Sequence, residues 1–185
     1  MSRILWPLAF GLALLGVWET LIIMYEVPPY ILPGPSDVAA SLWNDGPSLL
    51  KSLAVTLQVT LAALVLACIS GAGIAILLEQ SKTLERILFP YAVFLQVTPI
   101  VTIAPFVIIW VDSVFVVLLI LAWMAAVFPV ISNTLLGLKS ADRNLRDLFI
   151  LYEANRTQTL RHLLIPAALP YFLGGLRISG GLALI

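Results

Sequence analysis

The side chains that could carry out chemistry are few and widely separated in this sequence. It contains one cysteine, Cys68, and one histidine, His162, so neither an internal disulfide nor a metal cluster is expected. No acid–base pair converges anywhere, and no G-x-x-x-x-G-K-[ST] phosphate loop is present. We therefore predict that the chain is not an enzyme, binds no metal and carries no cofactor of its own.

Glu19 is the only carboxylate well inside an apolar stretch long enough to cross a bilayer. A carboxylate in such a position is typical of a proton or ion site. Glu19 also lies near the end of its stretch and beside Trp18, where a side chain can reach toward the lipid headgroups. The sequence leaves both interpretations open, and reaching toward the headgroups is the commoner arrangement.

A second group of polar residues and prolines falls within the third apolar stretch: Gln96, Thr98, Pro99, Thr102 and Pro105. The two prolines remove backbone donors, so we expect the helix to bend or break there. Carbonyls freed within a bilayer need partners or a water-lined cavity, and broken helices often border a translocation path. We predict that these residues line such a path; the alternative is a proline kink that neighbouring helices satisfy.

The composition indicates the elements that must position these residues. Hydrophobic residues make up 61% of the 185 residues and charged residues 11%, with a mean hydropathy of +1.06. An average soluble domain is nearer to about half apolar and a quarter charged. This composition excludes a soluble enzyme, a nucleic-acid-binding protein and a disordered chain. Ten basic residues balance ten acidic ones, so no net charge draws the chain to nucleic acid.

Apolar stretches of about 20 residues predict helices that cross a bilayer. Four complete stretches qualify, and a fifth is still apolar at the last residue. We therefore predict an all-α, polytopic transmembrane helical bundle of about five spans. The spans are predicted over residues 4–24, 53–78, 88–111 and 114–138, and from 165 onward.

The distribution of basic residues orients the bundle. If the N-terminus is inside, eight of the ten Lys and Arg residues lie on the cytoplasmic side, five of them in residues 139–164. The loops on the other side carry acidic residues instead, including Glu26 and Asp112. The positive-inside rule therefore predicts a multi-pass membrane protein with a cytoplasmic N-terminus.

Residues 25–52 form an outer, proline-rich loop. The prolines forbid a helix in its first part and favour extended or turn geometry. Ser36 and Asp37 then indicate a helix start. We predict a short helix that lies at the outer membrane interface.

Residues 139–164 are charged but also carry apolar side chains at helical spacing. Leu145, Leu148 and Tyr152 are among them, and the pattern predicts two short amphipathic helices around a turn at Asn155. The periodicity leaves two alternatives open. The apolar stripe either packs on the ends of the chain's own helices or meets a partner.

The same residues resemble the signature loop of bacterial ABC importer permeases, the binding-protein-dependent transport inner-membrane component. Asp147-Leu148-Phe149 stands where that family has Glu-Ala-Ala, and Leu163-Leu164-Ile165-Pro166 stands where it has Ile-x-Leu-Pro. Phe128-Pro129-Val130, upstream of the loop, also resembles the sequences of that family. The proline loop Leu32-Pro33-Gly34-Pro35-Ser36 resembles the branch that imports nitrate, sulfonates, taurine and vitamin pyrimidines. The similarity covers nearly the whole chain, from residue 6 to 185.

The resemblance implies an ABC type I importer permease in a bacterial inner membrane, with one transmembrane domain over residues 1–185. Family members continue for at least one further span, so it also implies a chain truncated at its C-terminus. Residues 139–164 would be a cytoplasmic coupling loop that docks on a separate ATPase dimer, which binds ATP and Mg²⁺. The coupling residues carried over are Arg143, Arg146, Asp147, Leu148, Phe149, Tyr152, Glu153, Ala154, Asn155 and Arg156.

The other implied partners are a second permease copy, an external solute-binding protein and membrane lipids. The resemblance implies import of a small solute by alternating access. A vitamin or pyrimidine precursor is favoured over nitrate, sulfonates and taurine, because residues 90–104 and 147–152 look like that group. The alternative function is an ion-coupled secondary transporter or a channel subunit. Such proteins keep ionisable groups at mid-membrane, and this chain has few.

Glu153 departs from the family pattern, because it stands where the family has a glycine. Glycine permits a left-handed turn that glutamate adopts poorly. Asn155 tolerates such a turn better than most residues. We therefore expect either that the chain turns one or two residues later or that it uses a different turn.

Overall fold

The computed structural model describes residues 2–97 and 100–184, and the regular structure within them is entirely helical. This confirms the predicted all-α class. A short π-helix, Leu160–Leu164, joins the last two helices. In chain order the helices are α1 (Ser2–Met24), α2 (Pro35–Asn44), α3 (Gly46–Gln80), α4 (Lys82–Val97), α5 (Ile100–Trp110), α6 (Val114–Lys139), α7 (Arg143–Leu151), α8 (Arg156–Thr159) and α9 (Ile165–Leu182).

Helices long and apolar enough to cross a membrane account for most of the predicted spans. They are Leu5–Met24, Gly46–Gln80, Val114–Lys139 and Arg156–Leu182. Within the third predicted span, residues 88–111, the structure describes α4 up to Val97 and α5 from Ile100, which have 16 and 11 residues; residues 98 and 99 lie outside the described part. Each helix is shorter than the roughly 20 residues of a complete crossing.

Residues 1–54 form one compact unit, which contains α1, the proline-rich loop and α2. The short helix predicted near Ser36 is present, and it begins at Pro35 with Gly34 as its N-cap. The Glu19 carboxylate accepts hydrogen bonds from the Ser36 N–H at 3.0 Å and the Ser36 Oγ at 2.6 Å. Glu19 on α1 therefore caps the positive end of α2. Neither interpretation left open by the sequence included this contact.

Residues 55–185 form the second unit, in which α9 packs along α6. Two glycines let these helices approach closely. A Cβ on Gly137 would lie 2.8 Å from the Ala168 Cα, and a Cβ on Gly175 would lie 2.8 Å from the Pro129 carbonyl oxygen. No larger side chain fits at either position without separating the helices.

In the same unit, α3 packs against α6 at a third close contact. A Cβ on Gly71 would lie 2.9 Å from the Val130 Cβ, and the Trp123 Nε1 donates a hydrogen bond to the Ser70 Oγ at 3.0 Å. Buried apolar side chains then join α3, α6 and the last helix in one core. Its members include Ala67, Ala75, Leu78, Val127, Val130, Leu135, Leu138, Ala141, Leu163, Leu164 and Ala168.

The last helical segment runs without a break from Arg156 to Leu182. Within it, the Ile165 N–H donates to the Leu160 carbonyl, which closes the wider turn of the π-helix. Pro166 follows directly and lacks an N–H, so the widened turn lies where the ladder is interrupted. The fifth span therefore begins earlier than residue 165. The second short helix predicted for the loop is the first turn of this segment.

Candidate functional site

The segment that carries the signature-like residues lies between α6 and the last helical segment. It consists of α7, a turn over residues 152–155, and the start of α8. The Asp142 carboxylate caps α7 by accepting a hydrogen bond from the Asn144 N–H at 2.7 Å. Ala141, just before the cap, is buried in the core of the second unit. The start of α7 is therefore held against the helix bundle.

Glu153 follows the end of α7 and adopts the left-handed conformation, with a φ of 53°. Its N–H donates to the Ile150 carbonyl at 2.9 Å, and the Ala154 N–H donates to the Phe149 carbonyl at 2.9 Å. These are the paired bonds of a Schellman-type C-cap, which requires a left-handed residue at this position. The turn thus falls where the family has glycine, and our expectation of a later or different turn is wrong. The hydrogen bonds to the helix carbonyls of Ile150 and Phe149 offset the steric cost of the left-handed conformation at Glu153.

Asn155 begins the next helix and does not supply the left-handed turn, because its φ is −72°. Its side chain accepts a hydrogen bond from the Gln158 N–H at 2.8 Å, and the Gln158 side chain accepts one from the Asn155 N–H at 2.8 Å. This reciprocal pair is a capping box. The turn predicted at Asn155 is therefore centred two residues earlier, at Glu153.

One side of α7 presents an apolar face that remains exposed in this chain. Leu145 and Leu148 are 46% and 43% exposed, and Leu151 and Tyr152 are 79% and 78% exposed. Neighbours in this set are mostly three or four residues apart, so they share one side of the helix. We call these four residues the outer face of α7. Exposed large apolar side chains of this kind are typical of an interaction surface.

The side of α7 that adjoins this face contacts the chain's own helices. Phe149 packs against the core, and both Phe149 and Arg146 are half-buried. They are three residues apart and therefore lie on the same side. The resemblance implies a partner contact for both side chains; the structure shows that each contacts the chain's own helices, and the partner contact stays a prediction. Packing on the chain's own helices, one of the two alternatives left open by periodicity, is therefore observed for Phe149 and Arg146. Docking on a partner stays a prediction.

Arg146 connects α7 to two other helices. Its Nη2 donates a hydrogen bond to the Leu138 carbonyl at 2.7 Å, near the end of α6. Its Nη1 lies 3.5 Å from the Glu79 Oε1, near the end of α3. Lys139 forms a separate ion pair with Glu85 of α4. Glu79 and Glu85 were missed by sequence reasoning, because their partners are distant in sequence and no local spacing indicates the pairing.

The remaining signature-like residues lie around the outer face. The side chain of Ala154 is half-buried, while the others are exposed. Arg156 also lines a cavity of about 370 Å³ together with Glu79 and Arg146. The exposed polar residues are Arg143, Asp147, Glu153, Asn155 and Arg156. They surround an apolar centre with a polar rim, which is the usual anatomy of a protein interface.

The described residues among those predicted to line a path lie at the end of α4 and in α5. Gln96 is in the last turn of α4, and Thr102 and Pro105 are in α5; all three are exposed. Thr98 and Pro99 lie outside the described residues. The assignment of these five residues to a translocation path stays a prediction.

These observations together indicate the class of membrane protein to which the chain belongs. Apolar helices of spanning length, joined by a capped and amphipathic segment ahead of the last one, are typical of a polytopic membrane permease. Residues 63–185 match the model of the family described as binding-protein-dependent transport system inner membrane component, and the chain belongs to that family. It is a family of ABC importer permeases. Membership implies, in general, an ATPase and a solute-binding protein as partners, and it disfavours a secondary transporter or a channel.

Individual relatives are named for different solutes. The chain is 31% identical to the formylaminopyrimidine transport permease protein ThiX of Halalkalibacterium halodurans over 97% of this chain and 72% of the relative. It is 32% identical to the riboflavin transport system permease protein RibX of Chloroflexus aurantiacus over 99% of this chain and 70% of the relative. It is 30% identical to the taurine transport system permease protein TauC of Escherichia coli over 91% of this chain and 64% of the relative.

Proposed function

We propose that this chain is the transmembrane permease subunit of an ATP-driven importer and that the outer face of α7 docks on a separate ATPase. The observation that carries the proposal is this exposed face at a capped, ordered helix. Leu151 and Tyr152 are more than three-quarters exposed, at 79% and 78%. The charges of Arg143, Asp147 and Arg156 around them supply a rim that water can reach.

The predicted orientation supports this docking. Eight of the ten Lys and Arg residues lie on the side of the membrane that would be cytoplasmic, and residues 139–164 hold five of them. ATP is cytoplasmic, so an ATPase partner must bind on that side. The N-terminus would then be cytoplasmic as well.

The solute is proposed to be a vitamin or pyrimidine precursor, carried across by alternating access. Two of the three relatives above are named for formylaminopyrimidine and riboflavin transport, and one for taurine. An external binding protein would deliver the solute. A second copy of this permease and the surrounding lipids would cover the apolar side chains that a single chain leaves exposed on α1 and α5, such as Phe10 and Ile109. Gln96, Thr102 and Pro105 would line the path.

The docking proposal is tested by Tyr152→Asp in a permease co-expressed with its ATPase. A charge at a well-packed interface centre should lower ATPase co-purification at least about tenfold. Tyr30→Asp is the matched control, because Tyr30 is 87% exposed but lies in the proline-rich loop on the proposed outer side. It should leave co-purification unchanged. Equal retention in both variants would contradict docking through α7.

The transport proposal is tested in reconstituted vesicles that enclose ATP, with the binding protein outside and with formylaminopyrimidine, riboflavin and taurine as candidate solutes. Uptake should require ATP, the co-purified ATPase and the binding protein. Uptake driven by a proton gradient in the absence of the ATPase would contradict an ABC importer. Accumulation of taurine alone among the three would contradict the proposed solute class and leave the importer function standing.

A further inference from the structure

Arg146 is directed toward the bundle although it belongs to the segment that would meet the ATPase. Its side chain is 33% exposed, and that of its partner Glu79 is 16% exposed. The guanidinium donates to the Leu138 carbonyl at 2.7 Å and lies 3.5 Å from the Glu79 carboxylate. One side chain of α7 therefore contacts the ends of both α3 and α6.

The chemistry of arginine suits this position. The Leu138 carbonyl lies in the last turn of α6, where carbonyls have no partner within the helix and carry partial negative charge. A guanidinium has five donors in one rigid plane, so it can reach this carbonyl and a carboxylate together. A lysine would offer a single point charge on a flexible stem.

Open space lies on two sides of this contact. A cavity of about 370 Å³ is lined by Glu79, Arg146 and Arg156 among others. A second cavity of about 470 Å³ is lined by the same Glu79 and Arg146, together with Lys82 and Arg86. The Arg146 contact therefore crosses a region that is otherwise loosely filled. Phe149, one turn further along, supplies an apolar contact to the core.

We infer that Arg146 is a positioning residue that transmits displacement of α7 to the ends of α3 and α6. The inference rests on the proposed function, in which α7 docks on the ATPase. A docked helix that moves with the ATPase shifts the spans only where it is attached to them. Arg146 attaches it by a charge-assisted hydrogen bond to α6 and by an ion pair to α3. Without these contacts α7 would keep its chain connection to α6 and the core contacts of Ala141 and Phe149, but it would lose its ion pair to α3.

The test is Arg146→Ala in the complex of permease and ATPase, with ATP, Mg²⁺ and vanadate as the probe, so that no solute is needed. Hydrogen exchange is measured on α7 and on residues 74–80 and 133–139, with and without the probe. In the wild type, the probe should change exchange at all three places. In Arg146→Ala, α7 should still respond. The response at the end of α3 should fall to about a tenth or less, the factor that one charge-assisted hydrogen bond contributes. The response at the end of α6 should fall less, because residues 140–142 still join α6 to α7.

Three further variants separate transmission from simple stabilisation. Arg146→Lys should restore part of the response, because it keeps the charge but reaches only one partner. Glu79→Gln should keep the response at the end of α6, where the Leu138 contact remains, and weaken the response at the end of α3, where it removes the ion pair. Arg86→Ala removes an exposed charge that lines the same cavity and should change nothing.

The outcomes distinguish the inference from the docking proposal. If the wild-type permease holds no ATPase through α7, docking itself fails. If docking holds and Arg146→Ala transmits the response as well as the wild type does, the inference is overturned and docking stands. A loss of protection in Arg146→Ala that is the same with and without the probe would also overturn it, because that result describes a merely structural residue.

Discussion

Replacing Glu153 by glycine should stabilise this permease. Glu153 holds a φ of 53°, where the Cβ of an L-residue crowds the backbone at a cost of about 1–2 kcal/mol. Both C-cap hydrogen bonds use backbone atoms, so glycine keeps them. The side chain is exposed, and its removal leaves no cavity.

Part of this gain is lost in the unfolded state. Glycine has more conformational freedom there than other residues, which costs about 0.4–1 kcal/mol. The net increase in the free energy of unfolding is therefore about 0.5–1 kcal/mol. For a chain of this size that corresponds to a rise in Tm of about 1–4 °C.

The assay is thermal unfolding of the purified permease in one detergent, with three variants measured beside the wild type. Glu26→Gly tests the same reasoning at a second site, because Glu26 follows α1 with a φ of 48°. It should raise the Tm as Glu153→Gly does. Glu153→Gln keeps the Cβ and removes the charge, so its Tm should match the wild type. A lower Tm for Glu153→Gly, or an equal rise for Glu153→Gln, would refute the reasoning from backbone strain.

Other perturbations follow from the packing and the caps. Gly137→Ala places a methyl group against the Ala168 backbone and should cost about 1–3 kcal/mol, whereas Gly174→Ala, with open space around its Cβ, should not lower the Tm. Glu19→Ala should speed hydrogen exchange at the first amides of α2. Thr20→Val, which removes only a bond to the Gly16 carbonyl in α1, should not. Lys139→Ala should lower the free energy of unfolding by less than about 1 kcal/mol, because its ion pair with Glu85 is partly exposed and water screens it. A Tm difference between Gly137→Ala and Gly174→Ala no larger than that between repeat samples would contradict the packing argument.

Several features could be read from local sequence because their causes are local. The apolar runs predicted the long helices, and the Pro35-Ser36 start of α2 follows from capping chemistry within a few residues. The charge distribution predicted an orientation by the same kind of local count. The prolines of the third span predicted a bend or break by the same local chemistry, and this stays a prediction because residues 98 and 99 lie outside the described residues.

The turn at Glu153 shows where local preference is insufficient. Propensity argued against a left-handed glutamate and favoured Asn155. The helix carbonyls of Phe149 and Ile150, however, gain partners when residue 153 takes this conformation. The start of the next helix is then defined by the capping box between Asn155 and Gln158. Backbone hydrogen bonds between several residues outweighed the preference of one.

The sequence by itself determined that this is an all-helical membrane protein, where its long helices lie and which segment carries the amphipathic signature. These properties depend on apolar runs and on side-chain periodicity, which are present in any window of the chain. Only the tertiary structure decided which side of α7 is free and which is attached to the bundle. Arg146 finds Glu79 and the Leu138 carbonyl, and Glu19 finds Ser36, because folding brings together groups that no spacing in the sequence relates.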